Sequence, residues 1–97
     1  MERQHISLLD LLREALPDEA VIMGDIAQLV YTGTAAMTTH LPRTWFYPAG
    51  FGTLGCALPD AIGAKLALPE TPVVALVGDG GFMFTVNELA TAVEEQL

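Results

Sequence analysis

The run Val73-Val74-Ala75-Leu76-Val77 empties directly into Gly78-Asp79-Gly80-Gly81, and that junction narrows what the chain can become. Five consecutive apolar residues rich in valine suit a strand covered on both faces, as in a parallel sheet flanked by helices. The glycines that follow permit a sharp turn and let something bulky come close to bare backbone. They also leave the Asp79 carboxylate at the carboxyl end of the strand, where open α/β sheets take their ligands. Asp is a hard oxygen ligand, and a helix starting nearby offers free N–H groups and the positive end of its dipole. An anion held with a hard cation suits such a place, and a diphosphate with Mg2+ is the leading candidate.

Composition sets the outer limits. The 97 residues make at most one small domain, residues 1–97. An apolar fraction of 52% and a mean hydropathy of +0.43 ask for burial on two sides. No apolar stretch reaches the roughly 18 residues needed to span a bilayer, which argues against a membrane partner. The opening Met1-Glu2-Arg3-Gln4-His5 is polar and lacks a signal-peptide pattern, so a cytoplasmic location is expected. The net charge of −8 argues against nucleic acid, which needs clustered Lys and Arg. Lys65 is the only lysine and falls in a predicted helix, so a diphosphate would rely on a cation and backbone N–H groups. Cys56 is the only cysteine and reads as a small core residue.

Along the chain, Ser7-Leu8-Leu9-Asp10 carries a helix-start signature, and Leu8, Leu9, Leu11, Leu12 and Leu16 give one broad apolar face before Pro17. A short strand is expected over residues 20–23, then a loop or one or two helical turns to Tyr31, and loop over residues 33–42. The aromatic run Thr44-Trp45-Phe46-Tyr47 predicts a second strand, stopped by Pro48. Gly50, Gly52 and Gly55 form a glycine-rich bend, and residues 57–68 read as a helix with Pro59 tolerated in its first turn. The spacing of Thr85 and Glu88 repeats the helix-start signature and predicts a last helix from Thr85 to near Gln96. Phe82, Met83 and Phe84 read as core. The fold class is α/β, a partial doubly wound and mostly parallel sheet with flanking helices. So few strands would leave a hydrophobic edge, so the chain is expected to be part of a larger protein.

Three segments together resemble the thiamin diphosphate-dependent enzymes, most closely the acetolactate synthase and 2-oxo acid decarboxylase group. They are Gly78-Asp79-Gly80-Gly81-Phe82 with Glu88-Leu89-Ala90-Thr91-Ala92, the bend and helix start from Gly50 to Ala64, and Asp25-Ile26-Ala27-Gln28. The resemblance spans roughly residues 18–97, and its weight lies in the order and spacing of the three. It implies that Asp79 is a Mg2+ ligand and that Gly80 and Gly81 offer N–H groups to the cofactor's diphosphate. It implies that the Gly52 carbonyl accepts from the pyrimidine amino group, with Thr53 and Leu54 beside it. Leu54 would be the wedge that bends the cofactor until its pyrimidine meets the acidic carbon of its own thiazolium ring. Gln28 would sit near the diphosphate.

The departures shape the expectation. The family's paired asparagines stand roughly 25 to 30 residues beyond the Gly-Asp-Gly, and only 18 residues follow Asp79. Leu29 stands where many acetolactate synthases carry a histidine. The family's catalytic glutamate comes from another domain across a subunit interface, so no catalytic residue is expected in this chain. The implied partners are a small 2-oxo acid, the remaining domains of the same protein and a second copy in a homo-oligomer. An isolated piece is expected to be inactive. A non-catalytic assembly module is the rival reading. An unrelated doubly wound nucleotide binder is disfavoured because no Gly-x-Gly-x-x-Gly opens a helix after the first strand.

Overall fold

A computed structural model describes residues 2–97; Met1, the first residue of the polar opening stretch, lies outside them. The elements follow in the order α1 (Glu2–Ala15), β1 (Val21–Gly24), α2 (Gln28–Ala36), β2 (Trp45–Phe46), α3 (Ala57–Ala67), β3 (Val73–Leu76) and α4 (Asp79–Thr85). A short 3-10 turn, Val86–Glu88, then joins α4 to α5 (Leu89–Glu94). The strands form an open sheet in the order β2-β1-β3. Both pairings are parallel, with Ile22 opposite Trp45 on one side of β1 and Val21 opposite Val73 on the other. The expected α/β architecture is therefore present, as a three-stranded parallel sheet flanked by helices.

The chain steps from β1 out to β2 and then back over β1 to β3. Right-handed crossovers force the two connecting helices onto opposite faces. On one face α2 lies against β1 and β2. A Cβ added to Gly24 would strike Val30, and one added to Gly33 would strike the Trp45 ring. Gly33 is thus the point where α2 comes closest to the sheet, and the Trp45 indole N–H donates to Thr34 Oγ1 at 3.2 Å beside it. Ile22 shares a side of β1 with Gly24 by alternation, so Leu9, Ile22 and Val30, all buried, form the core of this layer. On the other face α3 lies against β1 and β3. Among the described residues no helix is long and apolar enough to cross a membrane.

Two expectations about helix limits fail, and one helix was not foreseen. Helix α1 begins at Glu2, not at Ser7, whose hydroxyl donates back to the Arg3 carbonyl at 3.0 Å inside the helix. Helix α2 runs to Ala36, where a loop was expected from Gly33. Helix α4, Asp79–Thr85, fills a stretch for which no helix was expected, and the helix expected from Thr85 to near Gln96 is present as the 3-10 turn Val86–Glu88 followed by α5, with Thr85 at the N-cap position. The Thr85 hydroxyl donates to the Gly55 carbonyl at 2.8 Å, so its cap position carries no side-chain bond. In both failures a residue typical of caps or loops spends its polarity or its small size on a partner the local pattern does not show. The apolar face of α1 is also wider than its neighbour covers, since Leu8 and Leu11 are 52% and 63% exposed. Met83 and Phe84, expected in the core, are 70% and 67% exposed.

Candidate functional site

The strand order turns back between β1 and β3, and the carboxyl ends of those two strands mark the switch point, the crevice position at which open α/β sheets bind ligands. Residues 25–28 leave β1 and residues 77–81 leave β3 at this point. The two exits touch. The Asp25 N–H donates to the Leu76 carbonyl at 2.9 Å, and a Cβ on Gly78 would lie 3.6 Å from that of Ala27. The glycine bend closes the third side, where a Cβ on Gly52 would lie 3.9 Å from Ile26 Cδ1. Segments far apart in sequence therefore meet at one end of one sheet.

Asp79 is exposed at the first position of α4. Its Oδ1 accepts the Gly80 N–H at 2.8 Å. The first bond of the helix runs from the Phe82 N–H to the Gly78 carbonyl at 2.9 Å, so the N–H groups of Asp79, Gly80 and Gly81 precede the intrahelical ladder. Gly80 is exposed and has open space where a side chain would stand. Gly81 is buried, and a Cβ there would sit 2.8 Å from Asp25 Oδ1. Gly52, with φ of +61°, and Thr53 are exposed on the bend, and Leu54 leaves 46% of its surface open. Gln28 stands apart from these. It is the exposed first residue of α2 and lines a hollow of about 270 Å³ with Ile6 and Tyr31, on the side of α1.

Asp25 does more at this site than its sequence context suggests. Its side chain is fully buried. Oδ1 accepts from the Ile26 N–H at 2.8 Å and the Gly55 N–H at 3.1 Å. Oδ2 accepts from Gly55 at 2.9 Å and from the Ala57 N–H at 3.1 Å. One carboxylate thus joins the end of β1 to the bend and to the start of α3. Gly55, which it holds, has φ of +91° and is packed so tightly that a Cβ would lie 2.8 Å from Phe84 Cβ. The available signal was an acid between the apolar run 20–23 and Ile26-Ala27 with no basic residue near it in sequence, since a buried acid needs N–H donors.

Other features stand away from the crevice or are committed elsewhere. Lys65 Nζ donates to the Thr71 carbonyl at 2.8 Å, as its predicted distance from the glycine turn implies. Cys56 is half-buried and free, not a core residue. Burial, followed by the nearby charges of Asp25 and Asp60, pushes its thiol above the ordinary value. A cavity of about 460 Å³ lies between α3 and the sheet, lined by Val21, Met23, Phe46 and Leu68 among others. Its walls are mostly apolar, and it includes none of residues 25–28, 50–55 or 77–81. Among the described residues no group of three or more His, Cys, Asp or Glu could hold a metal ion. A divalent ion at Asp79 would take its other oxygens from phosphate, water or residues beyond those described.

Comparison with known proteins places the chain in a family. Residues 25–97 match the family described as thiamine pyrophosphate enzyme, C-terminal TPP binding domain. The chain is 50% identical over 95 residues to a probable 2-ketoarginine decarboxylase of Pseudomonas aeruginosa, covering 98% of this chain and 17% of that protein. It is 39% identical over 93 residues to the large subunit of acetolactate synthase isozyme 1 of Escherichia coli, covering 96% of this chain and 16% of that protein. With a sulfoacetaldehyde acetyltransferase of Rhodobacter capsulatus the identity is 45% over 75 residues, covering 77% of this chain and 13% of that protein. The chain therefore spans less than a fifth of the length of these curated relatives.

Proposed function

Because the chain belongs to the thiamine pyrophosphate enzymes, through their C-terminal TPP-binding domain, we propose that the crevice between β1 and β3 takes the diphosphate end of thiamin diphosphate together with Mg2+. The observation that carries this reading is the meeting of Asp25, Ile26 and Ala27 with Gly52 and Gly55 of the bend and with Gly78 and Gly81 at the carboxyl ends of two parallel strands. The residues suit the group. Asp79 is an exposed hard ligand, Gly80 leaves room for a bulky anion, and the first-turn N–H groups of α4 are donors at the positive end of a helix.

Each residue then has a task. Asp79 holds the cation. The Gly80 N–H, bonded here to Asp79 Oδ1, would be a donor for a phosphate oxygen if that carboxylate held the cation instead. Gly81 donates from within the same turn. The Gly52 carbonyl would accept from the pyrimidine amino group, and Leu54, with Thr53 beside it, would offer an apolar side chain to the cofactor. Gln28, on the α1 flank in this structure, would be the residue of this loop nearest the diphosphate. When bound, thiamin diphosphate supplies an electron sink for loss of CO2 from a 2-oxo acid. The whole protein is read as a cytoplasmic homo-oligomer that decarboxylates a small 2-oxo acid, with or without transfer to a second carbonyl compound. Its other domains and a second copy supply the catalytic glutamate.

Calorimetric titration of the full-length protein with thiamin diphosphate tests the cofactor reading. Binding that requires Mg2+, and that weakens at least tenfold in Asp79→Ala, is the expected result. A wild-type protein that does not bind favours the non-catalytic assembly module, and equal binding by Asp79→Ala removes the metal role.

A further inference from the structure

We propose that Asp25 is the positioning residue of this crevice: its buried carboxylate fixes the glycine bend relative to the Gly78–Gly81 turn, and so sets the span across which the cofactor is held. The inference rests on the reading that thiamin diphosphate occupies the crevice, and extends it to a residue that touches neither cofactor nor substrate.

A carboxylate removed from water is costly unless hydrogen bonds replace its hydration. Asp25 is fully buried, and its hydrogen-bond partners are all backbone N–H groups, those of Ile26, Gly55 and Ala57. An apolar residue would be cheaper to bury at this point but would leave those donors unpaired. The two oxygens hold Gly55 from below in a forked bond, and the Thr85 hydroxyl holds its carbonyl from the side of α4 at 2.8 Å. Gly55 therefore cannot shift without breaking bonds to both β1 and α4. Gly52, Thr53 and Leu54, the residues assigned to the pyrimidine end, hang from that fixed point.

The other half of the crevice meets the same carboxylate by contact. The Cβ position of Gly81 lies 2.8 Å from Asp25 Oδ1 and 3.2 Å from Cγ, so the first turn of α4 rests on the carboxylate and only glycine fits there. The two halves differ in kind. The bend depends on hydrogen bonds to Asp25, whereas α4 depends on its shape alone. Asp25→Asn keeps the shape but turns an amide NH2 toward N–H donors. It should therefore free the bend while leaving Asp79, Gly80 and Gly81 in place.

The test is a pair of dissociation constants on the full-length protein, both in the presence of Mg2+. In Asp25→Asn thiamin diphosphate, which spans both halves, should bind about tenfold more weakly or worse, the effect of leaving buried donors unpaired. Inorganic diphosphate, which needs only the α4 half, should bind within about threefold of wild type. Hydrogen exchange on the cofactor-free protein should quicken at the Gly55 and Ala57 amides and not at Ile22 or Met23 in β1. Asp25→Ser, smaller and still an acceptor, provides the same readings if the Asn variant does not fold. Unchanged cofactor affinity overturns the proposal. So does equal weakening of cofactor and diphosphate, which would mark a general structural role, and so does failure of both variants to fold. If wild type binds no thiamin diphosphate, the functional reading fails, and the exchange rates still decide whether Asp25 holds the bend.

Discussion

Gly55→Ala is the substitution whose cost can be worked most directly from the structure. Two penalties add. With φ of +91°, the backbone at Gly55 lies in the left-handed range, which costs a residue with a Cβ roughly 1–2 kcal/mol. The new methyl would also stand 2.8 Å from Phe84 Cβ and 3.4 Å from Thr85 Cγ2, where unstrained carbons keep about 3.5–4.0 Å apart. The first of those shortfalls is met only by pushing α4 away, and overpacking of this kind costs roughly 1–3 kcal/mol. Together the loss is about 2–5 kcal/mol. Urea denaturation of the cofactor-free protein, compared with Gly50→Ala, reads it out. Gly50 has nothing within 4 Å of its Cβ position, so that control should stay within about 0.5 kcal/mol of wild type. The atom struck is the Cβ of Phe84 and not its ring, so Phe84→Ala should fail to rescue Gly55→Ala. Stability of Gly55→Ala equal to wild type, or rescue by Phe84→Ala, would refute the packing described.

Two other predictions follow from the same geometry. Ile22→Ala empties a side chain that is 1% exposed at the centre of the sheet and should cost about 2–5 kcal/mol in the same denaturation assay, most of it as unrelaxed cavity. The Cys56 thiol, raised first by burial and then by the charges of Asp25 and Asp60, stays protonated at neutral pH, and the thiolate is the reactive form. Its alkylation by iodoacetamide should be slower than that of a free cysteine at pH 8, and should climb only at a higher pH than the free thiol requires. A profile shifted the other way would contradict the placement of those two carboxylates.

Much of this fold was legible because its strands are short apolar runs closed by Gly, Asp or Pro. Val73–Leu76 and Val21–Gly24 are read that way, and Trp45–Phe46 follows from aromatic residues stopped by Pro48. Helix α3 was legible from Pro59 in its first turn and the small residues behind it. The start of α1 was not, because a Ser followed by an acid three residues on has the same letters inside a helix as at its cap, and α4 was not, because Gly80 and Gly81 are poor helix formers that read as a turn. Ser7 spends its hydroxyl on the preceding turn, and Thr85 on a carbonyl 30 residues away. The length of α2 was hidden by Thr32, Gly33 and Thr34, weak helix formers that the Trp45 contact explains. At the crevice, Asp79 and the glycines announced themselves. Asp25 did not, since its donors Gly55 and Ala57 lie 30 and 32 residues along the chain and no local pattern links them.

A crystal structure of the full-length protein grown with thiamin diphosphate and Mg2+ tests the central claim most directly. The account predicts the metal about 2.0–2.1 Å from an Asp79 carboxylate oxygen, with the diphosphate against the Gly80 and Gly81 N–H groups and the Asp25 bonds to Gly55 intact. A diphosphate seated elsewhere, with Asp79 left facing solvent, would contradict it.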